Sequence, residues 1–331
     1  MTRPWPPGSA TGIGSMPGTD IDEALRIVFG ELPDLPHLPE LPARGAGADM
    51  IGRGATFLAD LPVEIQPSGW RLTAHPGRDL RRARDYLARD LDALELRADG
   101  YAGALKVQLV GPWTLAANAE LPSGHRVVSD HGAVRDLAAA LSEGLRAHLA
   151  DLGQRFPAAS VVVQLDEPSI PAVLAAAVPT PSGFGTVRSV EPTVVEQRLR
   201  DVLDVIPSGA RVVHCCAAGA PIGLLRAAGA DAVSLDASRL GGGDLDPLGE
   251  AIDAGMSLLL GVVPGVDAEV ALDAVRDRTL RMWRALGFPD EQLAATVVPT
   301  PACGLAGASP PYVRRALAVL RDAGKELRDP S

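Results

Sequence analysis

The sequence predicts an α/β protein that folds as a (β/α)8 TIM barrel, and two observations support this prediction. Short apolar runs alternate with longer segments of helical period along the 331-residue chain. Polar or metal-ligating side chains follow several of the apolar runs. Barrel enzymes carry their active sites at the C-terminal ends of their strands, where these side chains would lie. The alternation continues throughout, so residues 1–331 are expected to form a single domain.

Each predicted element rests on its apolar pattern and its flanking residues. Strands are predicted over residues 10–15, 47–52, 104–110, 160–166, 211–216, 232–236, 257–263 and 295–298. Helices are predicted over residues 20–28, 78–96, 132–154, 191–205, 221–228, 246–254, 268–286 and 311–323. Asp20 and Ser309 are the expected N-caps of the first and last helices. The proline-rich residues 31–42 predict no regular structure, and residues 54–76 predict an irregular excursion at the barrel mouth.

The composition excludes several classes of protein. No run of about 18 apolar residues is present, so no transmembrane span is expected. The N-terminal residues lack an apolar signal region, which predicts a cytoplasmic protein that does not bind membranes. The net charge is −10 without a basic block, so nucleic acid is not an expected partner. Three cysteines do not form a disulfide framework and point instead to metal binding or reactivity.

The predicted fifth strand ends in His214-Cys215-Cys216, which has the donor atoms of a metal site. Strand alternation places His214 and Cys216 on one face and turns Cys215 toward the helices. Asp236 ends the next predicted strand, and Cys303 follows the last one. An imidazole, two thiolates and a carboxylate suit tetrahedral Zn²⁺. Each cysteine taken singly is equally compatible with a small buried apolar residue.

Two further motifs have the character of a binding site. Asp166 ends an apolar strand on the same side as Gln164, and a buried carboxylate is costly unless it is paired. It could bind a ligand, pair with an arginine or cap the next loop. The turn Gly12-Ile13-Gly14-Ser15 lacks the spacing of a phosphate-binding loop, so its glycines favour close approach of another ligand to the backbone. The triple glycine at 241–243 predicts a flexible loop.

Six motifs in order resemble the catalytic domain of the cobalamin-independent methionine synthase family, from about residue 10 to about residue 320. They are Ile13-Gly-Ser15-Met-Pro17, Gly111-Pro112-x-Thr114, Leu165-Asp166-Glu167-Pro168, His214-x-Cys216, Ser234-Leu-Asp236-Ala-Ser238-Arg239 and Cys303-Gly304-Leu305. The resemblance implies an enzyme of methionine biosynthesis that transfers a methyl group to the thiol of homocysteine, with Zn²⁺ as cofactor.

The resemblance also implies a role for each matching residue. The implied zinc ligands are His214, Cys216, Asp236 and Cys303, and the implied catalytic residues are His214, Cys216, Cys303 and Asp166. The family usually has Glu at the position of Asp236. Ile13, Ser15 and Asp166 would bind homocysteine, with Asp166 at the ammonium group and the Ser15 turn at the carboxylate. Zinc would deprotonate the substrate thiol, whose pKa is otherwise about 8.5.

The residues expected to bind the methyl donor differ from those of the family. The full-length family enzyme has two barrels and binds folate between them, whereas one barrel is predicted here. The family's folate-stacking Trp is replaced by Leu115-Ala-Ala-Asn118, although Trp113 is near, and residues 261–269 lack the family's proton-transferring His. The family's Glu for the homocysteine amine is also missing, so Glu40 or Asp49 would replace it. We therefore predict methylcobalamin or a corrinoid protein as the donor, with methyltetrahydrofolate as the alternative.

Two other functions are compatible with these motifs. One is a related zinc methyltransferase that acts on another thiol, in the superfamily of uroporphyrinogen decarboxylase. The other is a non-catalytic barrel that binds zinc or a thiol, which the missing folate residues would allow. The Ile13-Gly-Ser15 turn and Asp166 favour an amino-acid thiol as the substrate.

Overall fold

The computed structural model of the chain describes residues 3–328. Its strands are β1 (Val63–Gln66), β2 (Gly69–Leu72), β3 (Ala104–Val110), β4 (Ser160–Asp166), β5 (Arg211–Cys215), β6 (Ala232–Asp236), β7 (Ser257–Val263) and β8 (Val297–Pro301). Its helices are α1 (Ile21–Glu31), α2 (Met50–Gly54), α3 (Arg78–Arg97), α4 (Pro112–Asn118), α5 (His131–Arg155), α6 (Ile170–Leu174), α7 (Pro192–Leu203), α8 (Ile222–Ala227), α9 (Gly242–Asp253), α10 (Leu272–Ala285), α11 (Leu293–Thr296) and α12 (Pro310–Glu326).

The strands β3 to β8 form one curled parallel sheet in which neighbours in the sheet are neighbours in the chain. Helices separate the consecutive strands, as parallel connections require. The sheet is covered on both faces, which explains why its strands read as nearly continuous apolar runs. The hairpin of β1 and β2 lies apart from this sheet. No helix within residues 3–328 is long and apolar enough to cross a membrane.

Two short extended segments join the edges of the curled sheet. Residues 10–15 contact β8, where the Thr11 amide donates to a strand carbonyl at 3.4 Å. Residues 36–40 contact β3, where the Leu38 amide donates to a strand carbonyl at 3.0 Å. The two segments meet each other where the Glu40 amide donates to a carbonyl of the first segment at 3.1 Å. The resulting ring is consistent with a TIM-like barrel.

The inside of the ring is apolar at one end and polar at the other. The apolar end is a separate cluster of Trp5, Leu35, Ala104, Val162, Val212, Ala232, Leu259 and Val298. Farther along the same strands, buried polar side chains point inward, among them Lys106 and Gln108 in β3, Gln164 in β4, and His214 in β5. The polar layer therefore lies toward the C-terminal ends of the strands.

The structure confirms most of the predicted elements and corrects five. The predicted first strand, residues 10–15, is an extended segment with one isolated bridge at Ser15 rather than a regular strand. The predicted strand at 47–52 is wrong, because Asp49 caps α2 by accepting the Gly52 amide at 2.9 Å. The second position of the ring belongs instead to residues 36–40, within the segment predicted to be irregular. The glycines at 241–243 do not form a flexible loop, since they begin α9.

Two helices begin at their predicted N-caps, and one segment contains a hairpin that was not predicted. Asp20 accepts two amides at the start of α1, and Ser309 accepts the Tyr312 amide at the start of α12. Both caps are confirmed. Residues 54–76 were expected to be irregular but contain the β1–β2 hairpin, whose register pairs Val63 with Leu72.

Glu167 connects β4 to the loop that follows β3. Its fully buried carboxylate accepts the amides of Trp113 at 2.9 Å and Thr114 at 2.8 Å, and the Thr114 hydroxyl at 2.8 Å. These amides lie at the start of α4, where backbone N–H groups have no partner within the helix. Gly111 has no side chain because a Cβ there would lie 2.4 Å from the carboxylate.

Replacing Glu167 with Ala should lower the free energy of unfolding by about 3 kcal/mol or more, because three buried donors lose their acceptor. Urea unfolding followed by circular dichroism measures this loss. The matched control is Glu143→Ala on α5, an exposed glutamate in a surface ion pair, which should change stability by less than about 0.5 kcal/mol. Equal losses in the two variants would contradict the role given to Glu167.

Candidate metal centre

Three predicted ligands meet at the C-terminal ends of the strands. His214 lies in β5, Cys216 follows that strand directly, and Cys303 follows β8. One ligand atom from each residue lies within 4.8 Å of the other two. The two sulfur atoms are 3.6 Å apart. Residues that are 87 positions apart in the sequence thus converge because β5 and β8 end on the same side of the ring.

The imidazole of His214 is held with one nitrogen free. The ring is buried, and its Nδ1 lies 2.9 Å from the hydroxyl oxygen of Ser234 in β6. Its Nε2 is buried and has no hydrogen-bond partner among the described residues. A ligating histidine normally uses its second nitrogen in such a contact, which fixes the orientation of the ring. The free Nε2 is therefore the nitrogen that could bind a metal ion.

The two thiols have the separation of a metal-bound pair. The hydrogen bond between them lowers the pKa of Cys303, with a further contribution from His214, and raises the pKa of Cys216. With metal–sulfur bonds of about 2.3 Å and tetrahedral angles, two thiolates on zinc lie about 3.8 Å apart. The sulfurs of Cys216 and Cys303 fit that distance.

Asp236, the fourth predicted ligand, lies outside the three-residue cluster. Its carboxylate accepts the Ser238 amide at 2.8 Å and the Ser238 hydroxyl at 2.7 Å. The Arg239 guanidinium lies 3.9 Å from its other oxygen. Ligation by Asp236 therefore stays a prediction. Cys215 is buried and takes no part in the cluster, as strand alternation predicted.

The cluster forms one wall of a cavity of about 180 Å³. The lining residues are Ile13, Gly14, Ser15, Glu40, Pro42, Ala48, Met50, Asp166, Pro168, His214, Cys216, Cys303 and Gly304. The predicted substrate-binding residues Ile13, Ser15 and Asp166 thus share a cavity with three predicted ligands. Pockets for drug-sized ligands begin at about 300 Å³, so this cavity suits a smaller molecule.

Two buried carboxylates face this cavity. Asp166 accepts one hydrogen bond at 2.7 Å from the Gln164 side-chain amide, and burial raises its pKa to about 7. Glu40 lies 3.2 Å from Nε of Arg53. Of the two residues predicted as alternatives for the amine, only Glu40 lines the cavity, because Asp49 caps α2. The sequence offers no strand pattern that would have placed Glu40 here.

The Ser15 turn and the loop after β8 fit closely together. The Leu305 amide donates to the Ser15 carbonyl at 2.8 Å. A Cβ on Gly304 would lie 1.9 Å from the Ser15 hydroxyl oxygen, so a larger residue would displace this hydroxyl from its observed position. The motif that contains Cys303 therefore holds the predicted carboxylate-binding turn in place.

A second, wider groove of about 450 Å³ adjoins the cavity. Cys303 and Gly304 line both, while Asp236 and the residues that follow β7 line only the groove. Trp113 does not reach either space. It is fully buried, and its indole N–H donates to the Val195 carbonyl at 2.9 Å, so it cannot stack on a ligand at the mouth.

The fold and this site define an α/β protein with a TIM-like sheet whose strand ends carry a candidate metal centre beside a small acidic cavity. The chain belongs to the family described as cobalamin-independent synthase, catalytic domain, whose model matches residues 9–326. It is a methionine synthase-like enzyme. Its membership of this family supports methyl transfer to homocysteine as the reaction. The family depends on zinc in general, and the cluster is a group that could hold a metal ion.

Two solved structures are similar to the chain, and the first of them supports the same fold. A B12-independent methionine synthase from Shewanella sp. W3-18-1, in complex with selenomethionine, is similar with a TM-score of 0.61 and 16% identity, covering 98% of this chain and 99% of that chain. A GH5_18 from Bifidobacterium longum subsp. infantis is similar with a TM-score of 0.44 and 11% identity, covering 97% of this chain and 79% of that one. No curated protein matches the chain in sequence.

Removing ligands should weaken metal binding in graded steps. Cys303→Ser should lower zinc affinity by more than about 100-fold, since even a lost partner outside the ligand set costs 10–100-fold. Ser234→Ala should lower it by about 10–100-fold, because the His214 ring loses the contact at Nδ1. Competition with a chromophoric chelator measures both affinities, and Co²⁺ in place of zinc reports thiolate ligation by its charge-transfer absorption.

The control is Cys215→Ala, which removes the one thiol outside the cluster and should keep full affinity. Unchanged zinc affinity in Cys303→Ser, or an equal loss in Cys215→Ala, would contradict the ligand set.

Proposed function

We propose that this chain is a zinc-dependent methyltransferase that methylates the thiol of homocysteine to give methionine, in a closed (β/α)8 barrel. The observation that carries the proposal is that His214, Cys216 and Cys303 converge on the same small cavity as Asp166 and the Ser15 turn. A thiol-activating centre and an amino-acid-sized cavity are what this reaction needs. The selenomethionine found in the Shewanella methionine synthase is an analogue of the product and supports this substrate.

The chain's own donor set suits zinc. Two thiolates and the unpartnered Nε2 of His214 offer three ligands, and we propose Asp236 as the fourth. When bound, zinc would lower the pKa of the substrate thiol so that the thiolate forms at neutral pH. Cys216 and Cys303 would contribute negative charge that keeps this thiolate electron-rich, and Ser234 would hold His214 in its ligating orientation.

The cavity would orient the amino-acid end of homocysteine. The Asp166 carboxylate has one oxygen bonded to Gln164, which leaves the second available for the substrate ammonium group. Glu40 adds a second negative charge on the same wall. The ammonium charge would favour the ionised form of Asp166 and so offset the cost of its burial. The turn from Ile13 to Ser15 would receive the carboxylate.

The methyl donor would approach along the groove beside Cys303. A cavity of about 180 Å³ is too small for a folate or a corrin, whereas the groove is open and wider. Trp113 is buried and residues 261–269 contain no histidine, so the features by which the family handles folate are missing. We therefore propose methylcobalamin or a corrinoid protein as the donor.

The zinc-loaded chain should form methionine from homocysteine and methylcobalamin at least about 10-fold faster than from methyltetrahydrofolate, because only the first donor needs no folate contacts. Mass spectrometry of the product measures both rates. Cys216→Ala should abolish turnover with either donor, while Cys215→Ala should keep it. Activity with folate alone would contradict the donor, and no methionine from any of these donors would contradict the function.

Asp166→Asn should raise the KM for homocysteine by about 100-fold, because a charged hydrogen bond to the ammonium group is lost. The thiol 4-mercaptobutyrate is homocysteine without its amino group, so its methylation should change little. Steady-state kinetics with both thiols test this selectivity. The control is Asp136→Asn, an exposed carboxylate on α5, which should leave both thiols unaffected. Equal losses on the two thiols would contradict ammonium recognition by Asp166.

A further inference from the structure

Lys106 is a fully buried lysine inside the barrel. It is one of only two lysines in the sequence, and the other, Lys325, is exposed on α12. Its side chain has no measurable exposure, and burying an ammonium group is costly unless hydrogen bonds and charges compensate. An apolar residue at this position would extend the apolar cluster below it at no such cost. The lysine therefore has a purpose beyond packing.

All three protons of the ammonium group find acceptors. Nζ donates to the Ile13 carbonyl at 2.9 Å, to Oε1 of Gln164 at 2.9 Å and to Oε1 of Gln108 at 3.4 Å. None of these acceptors is charged. The compensating charges are the nearby carboxylates of Asp166 and Glu40, which favour the protonated lysine, although burial lowers its pKa to about 8. Lys106 does not line the cavity itself, but it bonds to Ile13, which does.

These contacts set the direction of the Gln164 amide. A lysine ammonium can only donate, so the oxygen of Gln164 must face it and the NH₂ group must face away. That NH₂ group donates to Oδ1 of Asp166 at 2.7 Å and to the Ile13 carbonyl at 2.9 Å. Without the lysine, Gln164 could turn over and present its oxygen to the carboxylate of Asp166. The two oxygens would then repel each other.

The Ile13 carbonyl is the second group that Lys106 fixes. It accepts from both Lys106 and Gln164, so the backbone just before Ser15 is tied to β3 and β4. Because the Ile13 carbonyl keeps its hydrogen bond from Gln164 when the lysine is removed, the turn that faces the substrate carboxylate stays tied to β4.

We propose that Lys106 is a positioning residue for recognition of the substrate ammonium group, because it orients Asp166 through Gln164. It does not touch the substrate. The inference rests on the proposed function, because it requires that Asp166 binds the ammonium group of the substrate. A lysine that only stabilised the barrel would affect all thiol substrates alike, whereas a positioning lysine affects only those with an amino group.

The test compares Lys106→Met with the wild-type enzyme on homocysteine and on 4-mercaptobutyrate. Methionine has a similar length but neither charge nor donors. KM for homocysteine should rise by about 10-fold or more, while kcat/KM for 4-mercaptobutyrate stays within about 2-fold. Zinc content should not change. Lys325→Met removes the other lysine and should behave as wild type.

A second variant changes Gln164, which links Lys106 to Asp166. It tests the proposal in the case that Lys106→Met does not fold. Gln164→Leu keeps the lysine but removes the donor to Asp166, and should give the same selective loss on homocysteine. The double variant should lose no more of the preference for homocysteine over 4-mercaptobutyrate than the larger single variant loses, because both residues orient one carboxylate. Additive losses would mean that Lys106 acts elsewhere.

The outcomes separate this inference from the proposed function. A wild-type enzyme that does not prefer homocysteine over 4-mercaptobutyrate overturns both. A wild-type preference that Asp166→Asn abolishes and Lys106→Met retains overturns only the role of Lys106. Equal losses on the two thiols in Lys106→Met and Gln164→Leu also overturn it, since they indicate a structural role.

Discussion

The site depends on the hydrogen bonds by which residues 10–15 and 36–40 join the two edges of the curled sheet. These short segments bring Ser15 and Glu40 to the strand ends that carry the metal-type ligands. Without this closure, the half of the cavity that contains Ser15 and Glu40 would have no fixed position relative to His214. The contact between Ser15 and Gly304 shows how close the two halves are, since a methyl group on Gly304 would displace the Ser15 hydroxyl.

The same closure explains the polar layer inside the barrel. Polar groups in a core are tolerated only when their hydrogen bonds are complete, and Lys106 and Gln164 meet that condition by bonding to each other and to the Ile13 carbonyl. Apolar residues there would pack but would not orient the Asp166 carboxylate. Satisfied polar groups hold the carboxylate above them in one orientation, and sites built on hydrogen bonds discriminate strongly against ligands that lack the matching group.

The sequence predicted those parts of the fold whose physical cause is local. Strands buried on both faces give continuous apolar runs, so β3, β4, β6 and β7 were predicted with their observed bounds. Residues 36–40 were missed because prolines interrupt them. Leu38 and Glu40 supply the amides that bond to the neighbouring strands, and the prolines between and beside them are not needed as donors.

The sequence also predicted those parts of the site that depend only on the spacing of residues along a strand. Strand alternation was enough to pair His214 with Cys216 and to exclude Cys215, because it depends only on spacing. The sequence could not choose between Glu40 and Asp49, since that choice depends on which segment lies in the ring. Nor could it place the carboxylate of Asp236, whose orientation is set by its hydrogen bonds with Ser238.

The mouth of the ring is divided into a cavity and a groove. In the proposed function, the cavity would select the thiol substrate and the groove would select the methyl donor. The cavity walls that would contact an amino acid come from residues 10–15, residues 36–40 and β4, whereas the groove is built from the ends of β6, β7 and β8. Cys303 lies on the boundary between them. Because the ends of β6 and β7 line only the groove, that side of the groove can change without disturbing the cavity. That independence accounts for a chain in which the homocysteine motifs resemble the family while the folate motifs do not.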